Sequence, residues 1–292
     1  MFRRKHPKHT FPSRAPTVTS TDHINTLLKK CSYDTWVIVD LDNTVMEAHD
    51  DHDGLGSDQW FEHIFKHSLT VVNDKAQAKN LVMTIYNEVQ MQTKMQPVDK
   101  KIGLIIRRLQ HIGIPVIALT ARGVELEEST VSQLNSINIH LTKFFDNKPI
   151  LSKVNDNEVH FKNGIVFCAG GNKGDAISQL LEDMVPVRHS YIKTLHAKGN
   201  RERIRKTPQL PKHIIMIDDK RKHVDSVHRA VVALDASFDG LHYTHLDSKV
   251  ANFKIEPAAK QLSLLYPRLT DAAKKAVDDL KLLEVVTVTK KL

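Results

Sequence analysis

The run Trp36-Val37-Ile38-Val39 leads straight into Asp40-Leu41-Asp42-Asn43-Thr44. Its apolar residues are mostly β-branched and do not alternate with polar ones. A strand buried on both faces reads this way, and such strands belong to parallel sheets. The two carboxylates then fall at the strand's C-terminal end, where open α/β sheets place their ligands. Acids two residues apart at such an end repel each other unless they share a cation. The pattern points to a carboxylate nucleophile, a second acid/base carboxylate and a hard metal ion. The plain alternative for an isolated Asp-x-Asp is a solvated turn.

Three later stretches fit the first reading. Ile114-Pro115-Val116-Ile117-Ala118-Leu119 runs into Thr120-Ala121-Arg122-Gly123. Gly170-Gly171-Asn172-Lys173-Gly174-Asp175 opens a helical pattern over Ala176 to Met184. His213-Ile214-Ile215-Met216-Ile217 ends in Asp218-Asp219. The order is strand-Asp-x-Asp, strand-Thr, Lys at a helix start, strand-Asp-Asp. It resembles the haloacid dehalogenase (HAD) superfamily, whose four motifs occur in this order, and the resemblance spans most of the chain. Gly54-Leu55-Gly56-Ser57-Asp58-Gln59-Trp60-Phe61 and Phe238-Asp239-Gly240-Leu241-His242-Tyr243 are similar to a bacterial HAD-like family of unknown function.

Each residue then has an expected part. Asp40 is the candidate nucleophile, which attacks phosphorus and splits one hard step into two through an aspartyl-phosphate. Asp42 is the candidate general acid/base; an acid here resembles the phosphatases and phosphomutases of the superfamily. Asp218 and Asp219 complete a magnesium site with Asp40, to which Asp42 adds its backbone carbonyl, and the resemblance favours Asp218 as the direct ligand. Thr120 offers a hydroxyl and an N–H to the phosphoryl group, and Lys173 a fixed charge. A lysine at a helix start is poorly matched to the helix dipole, which makes an anionic ligand beside it attractive. Arg122 reads equally as a substrate contact or a solvated loop residue. His49, Asp50, Asp51, His52 and Asp53 look like a metal box, with a polar loop as the plainer reading.

The chain has 292 residues, 41% hydrophobic and 26% charged, the composition of an ordinary globular protein. No apolar run approaches the roughly 20 residues that cross a bilayer, and the basic N-terminus has no apolar core of the secretory kind. The two cysteines, Cys31 and Cys168, form no Cys-x-x-Cys pair. A reducing, cytoplasmic location is the default expectation, with export by another route left open. Of the net charge of +8, residues 1–14 carry +5 and residues 188–206 carry +6, which leaves the rest near −3. The segment 188–206 is a candidate nucleic-acid footprint, but Tyr191 is its one aromatic, too few for a stacking surface.

The expected architecture is α/β: a Rossmann-like, HAD-type parallel sheet flanked by helices, with a small helical cap inserted after the first strand. Residues 1–22 are expected to be a disordered basic lead-in, 45–97 the cap, and 23–44 with 98–292 the core. Helices are expected at 24–31, 58–67, 73–92, 98–112, 123–137, 220–230 and, split by Pro267, 256–283. A β-hairpin accessory is expected near 145–169, with its turn at Lys162-Asn163-Gly164, and a strand at 231–234. The expected function is a magnesium-dependent phosphomonoester hydrolase acting on a phosphorylated small molecule. A phosphomutase, a catalytically silent binding module and a nucleic-acid binder are the alternatives.

Overall fold

In the computed structural model, Thr35–Val39 forms strand β2, buried at every residue. The structure describes residues 17–32, 34–145, 149–155, 157–201 and 209–284. Strand β1 is Thr17–Thr21, helix α1 is Thr26–Lys30, and the ribbon strands β3 and β4 are Met46–Ala48 and Met95–Pro97. Between them lie helices α2, Asp58–Val71, and α3, Lys75–Gln92. Helix α4 is Ile102–His111, β5 is Val116–Thr120 and α5 is Glu127–Ser136. Strands β6, β7 and β8 are Ile150–Val154, Asn157–Lys162 and Ile165–Phe167. Then follow α6, Lys173–Ala197; β9, His213–Asp218; α7, Arg221–Ala233; β10, Ser237–Tyr243; and α8, α9 and α10 at Asp247–Ala251, Ile255–Leu265 and Asp271–Asp279.

The main sheet has the order β1-β10-β9-β2-β5-β8-β7-β6. Its pairs are parallel from β1 through β8 and antiparallel at β7 and β6. The α/β class with a mostly parallel central sheet flanked by helices is thus as expected. Successive side chains of β2 point to opposite faces. Val37 and Val39 pack with Ile102, Ile105 and Ile106 of α4, whereas Trp36 and Ile38 pack with Ala176 and Ile177 of α6 and Val227 of α7. Each fully buried Val or Ile contributes roughly 1.5–3 kcal/mol, so this strand is held from both sides.

Three local differences from the sequence reading have physical causes. Residues 17–21, read as part of the lead-in, pair with β10 in parallel; Thr17 and Thr19 sit beside Asp239 and Leu241 in register. Residues 1–16 of that lead-in lie outside the described residues. The expected hairpin forms at Asn163 and Gly164, both with positive φ (55° and 77°), but β8 also pairs with β5, so the hairpin extends the central sheet instead of standing apart. The strand expected at 231–234 is the end of α7, because Val224, Val227 and Val231 recur at helical spacing and are all buried. The strand lies at Ser237–Tyr243 instead.

The insertion is helical, with Ser57 and Asp74 capping α2 and α3 through Trp60 N and Gln77 N. It is closed by the antiparallel ribbon β3–β4. Its apolar face, including Trp60, Ile64, Ile85 and Val89, shares one buried cluster with Leu262, Ala273 and Val277 of α9 and α10. The C-terminal helices, assigned to the core in sequence, therefore complete the helical layer.

Candidate active site

The acids meet at the C-terminal ends of two neighbouring parallel strands. Asp40 follows β2, and its N–H donates to the Ile217 carbonyl of β9 at 3.0 Å. Asp218 ends β9 and Asp219 follows it. One carboxylate oxygen from each of Asp40, Asp218 and Asp219 lies within 4.8 Å of the others. Among the described residues, this is the group of side chains that could hold a metal ion.

Lys173 stands in the middle of the cluster and is 2% exposed. Its Nζ donates to Asp40 Oδ1 at 2.5 Å and to Asp218 Oδ2 at 2.7 Å. Two local features aim it there. Asn172 caps α6 by accepting from Gly174 N and Asp175 N. Gly174 then lies against α7, where its N–H donates to Ser226 Oγ at 3.1 Å. Thr44 binds the other side: its hydroxyl donates to Asp40 Oδ2 at 3.3 Å and accepts from Asp219 N at 3.1 Å. The Thr of the first motif, which had no assigned role, thus ties the two acidic loops together. Asn43, at φ 61°, donates to Asp219 Oδ2.

The three acids differ in what they have left to offer. Asp218 Oδ1 accepts from Lys220 N at 2.8 Å and meets His223 Nδ1 at 3.3 Å, while its Oδ2 takes Lys173. Asp219 Oδ1 is buried and has no hydrogen-bond partner. Burial raises Asp218, but Lys173 and His223 outweigh it and bring its pKa down to about 2. Burial, Asp58 and Asp218 push Asp219 up to about 7. Burial also pushes Asp40 well above the ordinary carboxylate value, opposed by Lys173 and reinforced by Asp218, Asp219 and Asp42. Burial works against the Lys173 ammonium, but Asp218 and Asp40 hold its pKa above the usual value.

Asp42 is not part of this group. Its carboxylate turns to Arg122, which grips both oxygens, Nε to Oδ2 at 2.9 Å and Nη2 to Oδ1 at 2.7 Å. Arg122 is 4% exposed, so the solvated-loop reading of it does not match its position. Thr120 is fully buried, and its Oγ1 accepts from Arg122 N at 3.2 Å. The His49–Asp53 box does not assemble. His49 Nδ1 accepts from Asp51 N, His52 Nε2 accepts from Lys94 N, and Asp50 pairs with Lys249 at 2.7 Å. These are loop-closing bonds. Beside Asp219 lies a cavity of about 170 Å³, lined among others by Asp58, Glu62, Lys220, Tyr243 and Val250. Of the basic segment 188–206, residues 202–206 lie outside the described residues. Cys168 is buried, and burial pushes its thiol up to about 12, as suits an inert packing residue.

Fold and site together define an α/β protein with a carboxylate cluster and a lysine at the ends of its central parallel strands. The chain belongs to the family described as "Protein of unknown function (DUF2608)", whose model matches residues 17–189 and 201–274. A Chlamydia pneumoniae protein is 24% identical over 169 residues, which is 58% of this chain and 62% of that protein's length. A protein of Chlamydia trachomatis serovar D is 22% identical over 209 residues, 72% of this chain and 69% of the relative. Both carry the name "Putative outer membrane protein". These matches overturn the membership in the haloacid dehalogenase superfamily expected from motif order: the matching family is the one above, and these relatives are not named as hydrolases of that kind. Among the described residues, no helix is long and apolar enough to cross a membrane.

Proposed function

We propose that this protein is a magnesium-dependent phosphomonoester hydrolase that works through an aspartyl-phosphate on Asp40. The observation that carries the reading is Lys173 Nζ, held between Asp40 and Asp218 at the ends of two parallel strands. A lysine fixed against a buried carboxylate orients that carboxylate and presents a positive charge to an approaching anion.

The residues fit magnesium. The donors are hard carboxylate oxygens. Asp219 Oδ1 is buried with no protein partner, whereas Asp218 spends its oxygens on Lys173, Lys220 N and His223. Asp40 and Asp219 would hold the ion, with Asp218 holding Lys173. Bound there, magnesium would offset negative charge between nucleophile and phosphate.

The chain's own groups do the rest. Asp40 forms the new bond to phosphorus as the bond to the leaving alcohol breaks. Asp42 supplies a proton to that alcohol, then takes one from the water that releases phosphate. Thr44 and Lys173 hold Asp40 in line. The cavity of about 170 Å³ beside Asp219 suits a small leaving group. The test is a panel of phosphorylated metabolites and p-nitrophenyl phosphate, assayed with magnesium. Phosphate release that disappears in Asp40→Asn is the expected result. No release from any compound, or an equal rate in that variant, overturns the reading.

A further inference from the structure

Arg122 is a buried cation that the mechanism above leaves unused. A guanidinium has five N–H donors and no acceptor. Here all five find acceptors. Two go to the Asp42 oxygens, one to Gln90 Oε1 at 3.1 Å, one to Thr130 Oγ1 at 3.0 Å and one to Gln133 Oε1 at 2.7 Å. In this arrangement Arg122 has nothing left for a phosphate.

The hydrogen bonds continue past it. Gln133 Nε2 donates to the carbonyls of Gln90 and Thr93 at 2.8 and 2.9 Å, at the end of α3. Gln90 Nε2 donates to the Gly56 carbonyl, just ahead of α2. Gln90, Thr93, Thr130 and Gln133 are all buried. An unbroken internal chain thus joins the Asp42 carboxylate to the points where the backbone enters α2 and leaves α3. Gly56 and Thr93 also touch: a Cβ on Gly56 would lie 2.6 Å from Thr93 Oγ1.

We propose that Arg122 is a positioning residue, which sets the orientation of Asp42 and couples it to the seating of the helical insertion. The inference rests on the acid/base role given to Asp42 above. A bidentate fork fixes a carboxylate's plane as well as its place. A shift at the end of α3 moves Gln90 and Gln133, and so moves the fork. Each Asp42 oxygen gives Arg122 one lone pair and keeps another, so the fork sets the direction in which the free lone pair faces. The insertion's position thereby controls how available Asp42 is.

The test uses full-length protein and two kinds of readout. Arg122→Lys keeps a charge and loses the fork; Gln133→Met keeps approximate volume and loses the link to α3. In folded variants, kcat for an alkyl phosphate should fall about tenfold or more, with KM within about twofold. Phosphorylation of Asp40 by p-nitrophenyl phosphate should change less. Unchanged kcat overturns the proposal, and a rise in KM alone makes Arg122 a substrate ligand. The second readout needs no activity: Asp42→Asn should speed amide hydrogen exchange at residues 55–57 and 89–96 relative to the parent. If the parent turns over no phosphomonoester, the hydrolase reading falls and exchange alone decides the coupling. Equal exchange in parent and variant overturns it, whatever the substitutions at Arg122 and Gln133 do to folding.

Discussion

Gly174 lies so close to Ser226 that a Cβ on the glycine would sit 2.5 Å from the serine's carbonyl oxygen. The contact brings the start of α6 onto α7, and it fixes where the preceding residue, Lys173, can reach. Gly174→Ala must push the two helices apart. Overpacking of this kind costs about 1–3 kcal/mol. The denaturant midpoint of the variant should fall accordingly, and phosphate or vanadate should bind more weakly because Lys173 is displaced. A variant with the parent's midpoint and the parent's anion affinity contradicts the placement.

The ribbon that closes the insertion carries a pH dependence of its own. His52 Nε2 accepts from Lys94 N at 3.0 Å, a bond open only to the neutral ring. Burial, then the nearby charges of His49 and Lys94, hold its pKa below the ordinary value. A histidine whose folded pKa lies below its unfolded value of about 6.5 stabilises the fold above that value. The contribution is lost as pH falls through the folded pKa. The parent should therefore lose stability between about pH 6.5 and lower values more steeply than His52→Gln. Denaturation midpoints across that range read the difference, and parallel curves for the two proteins remove His52 as the cause.

How far the sequence carried depended on whether a signal was local. Residues 35–39 and 213–217 are continuous apolar runs, and both strands lie where the runs predict. The turn at Asn163-Gly164 was equally plain, since its chemistry sits in two adjacent residues. Strand β1 was hidden because Thr17–Thr21 is polar, and its strand character comes from pairing with β10, more than 200 residues away. The same distance hid the packing of α9 and α10 on the insertion. At the site, Asp40, Asp218, Asp219 and Lys173 were picked out and do come together. The partners of Asp42 were not, because Gln90, Thr130 and Gln133 are ordinary helix residues until the fold gathers them around Arg122. Motif order also suggested a family that the matches replaced with another.

Magnesium should stabilise the folded protein. An ion that binds only the native state adds about 2.7 kcal/mol at one hundred times its Kd. Asp219→Asn removes the acid whose Oδ1 has no partner, and it should abolish most of that gain. Asp219→Asn also relieves repulsion among buried acids, so the metal-free variant should melt no lower than the metal-free parent. Calcium should raise the melting temperature yet support turnover poorly, because its larger, looser shell disturbs in-line attack. Equal thermal shifts by magnesium in parent and variant would place the ion elsewhere.

The division of labour between Asp40 and Asp42 admits the sharpest test. Asp40→Asn preserves shape and removes the nucleophile, so no phosphorylated protein should form. Asp42→Asn retains the nucleophile and removes the acid/base group, so its effect should depend on the leaving group. With p-nitrophenyl phosphate, whose leaving group needs little protonation, the phosphorylated protein should form nearly as fast as in the parent and then accumulate, since its hydrolysis lacks a base. An alkyl phosphate should suffer in both steps, by about 10²–10⁴-fold. Asp42→Asn also replaces one of the two oxygens that Arg122 grips, leaving a buried guanidinium N–H short of an acceptor. That loss should cost about 1–3 kcal/mol of stability, which an equilibrium melt separates from the kinetic effect. Rapid-quench trapping of the phosphorylated chain in both variants is the measurement. Labelling of Asp40→Asn, or an Asp42→Asn variant that matches the parent on both substrates, would refute the assignment of roles while leaving the fold untouched.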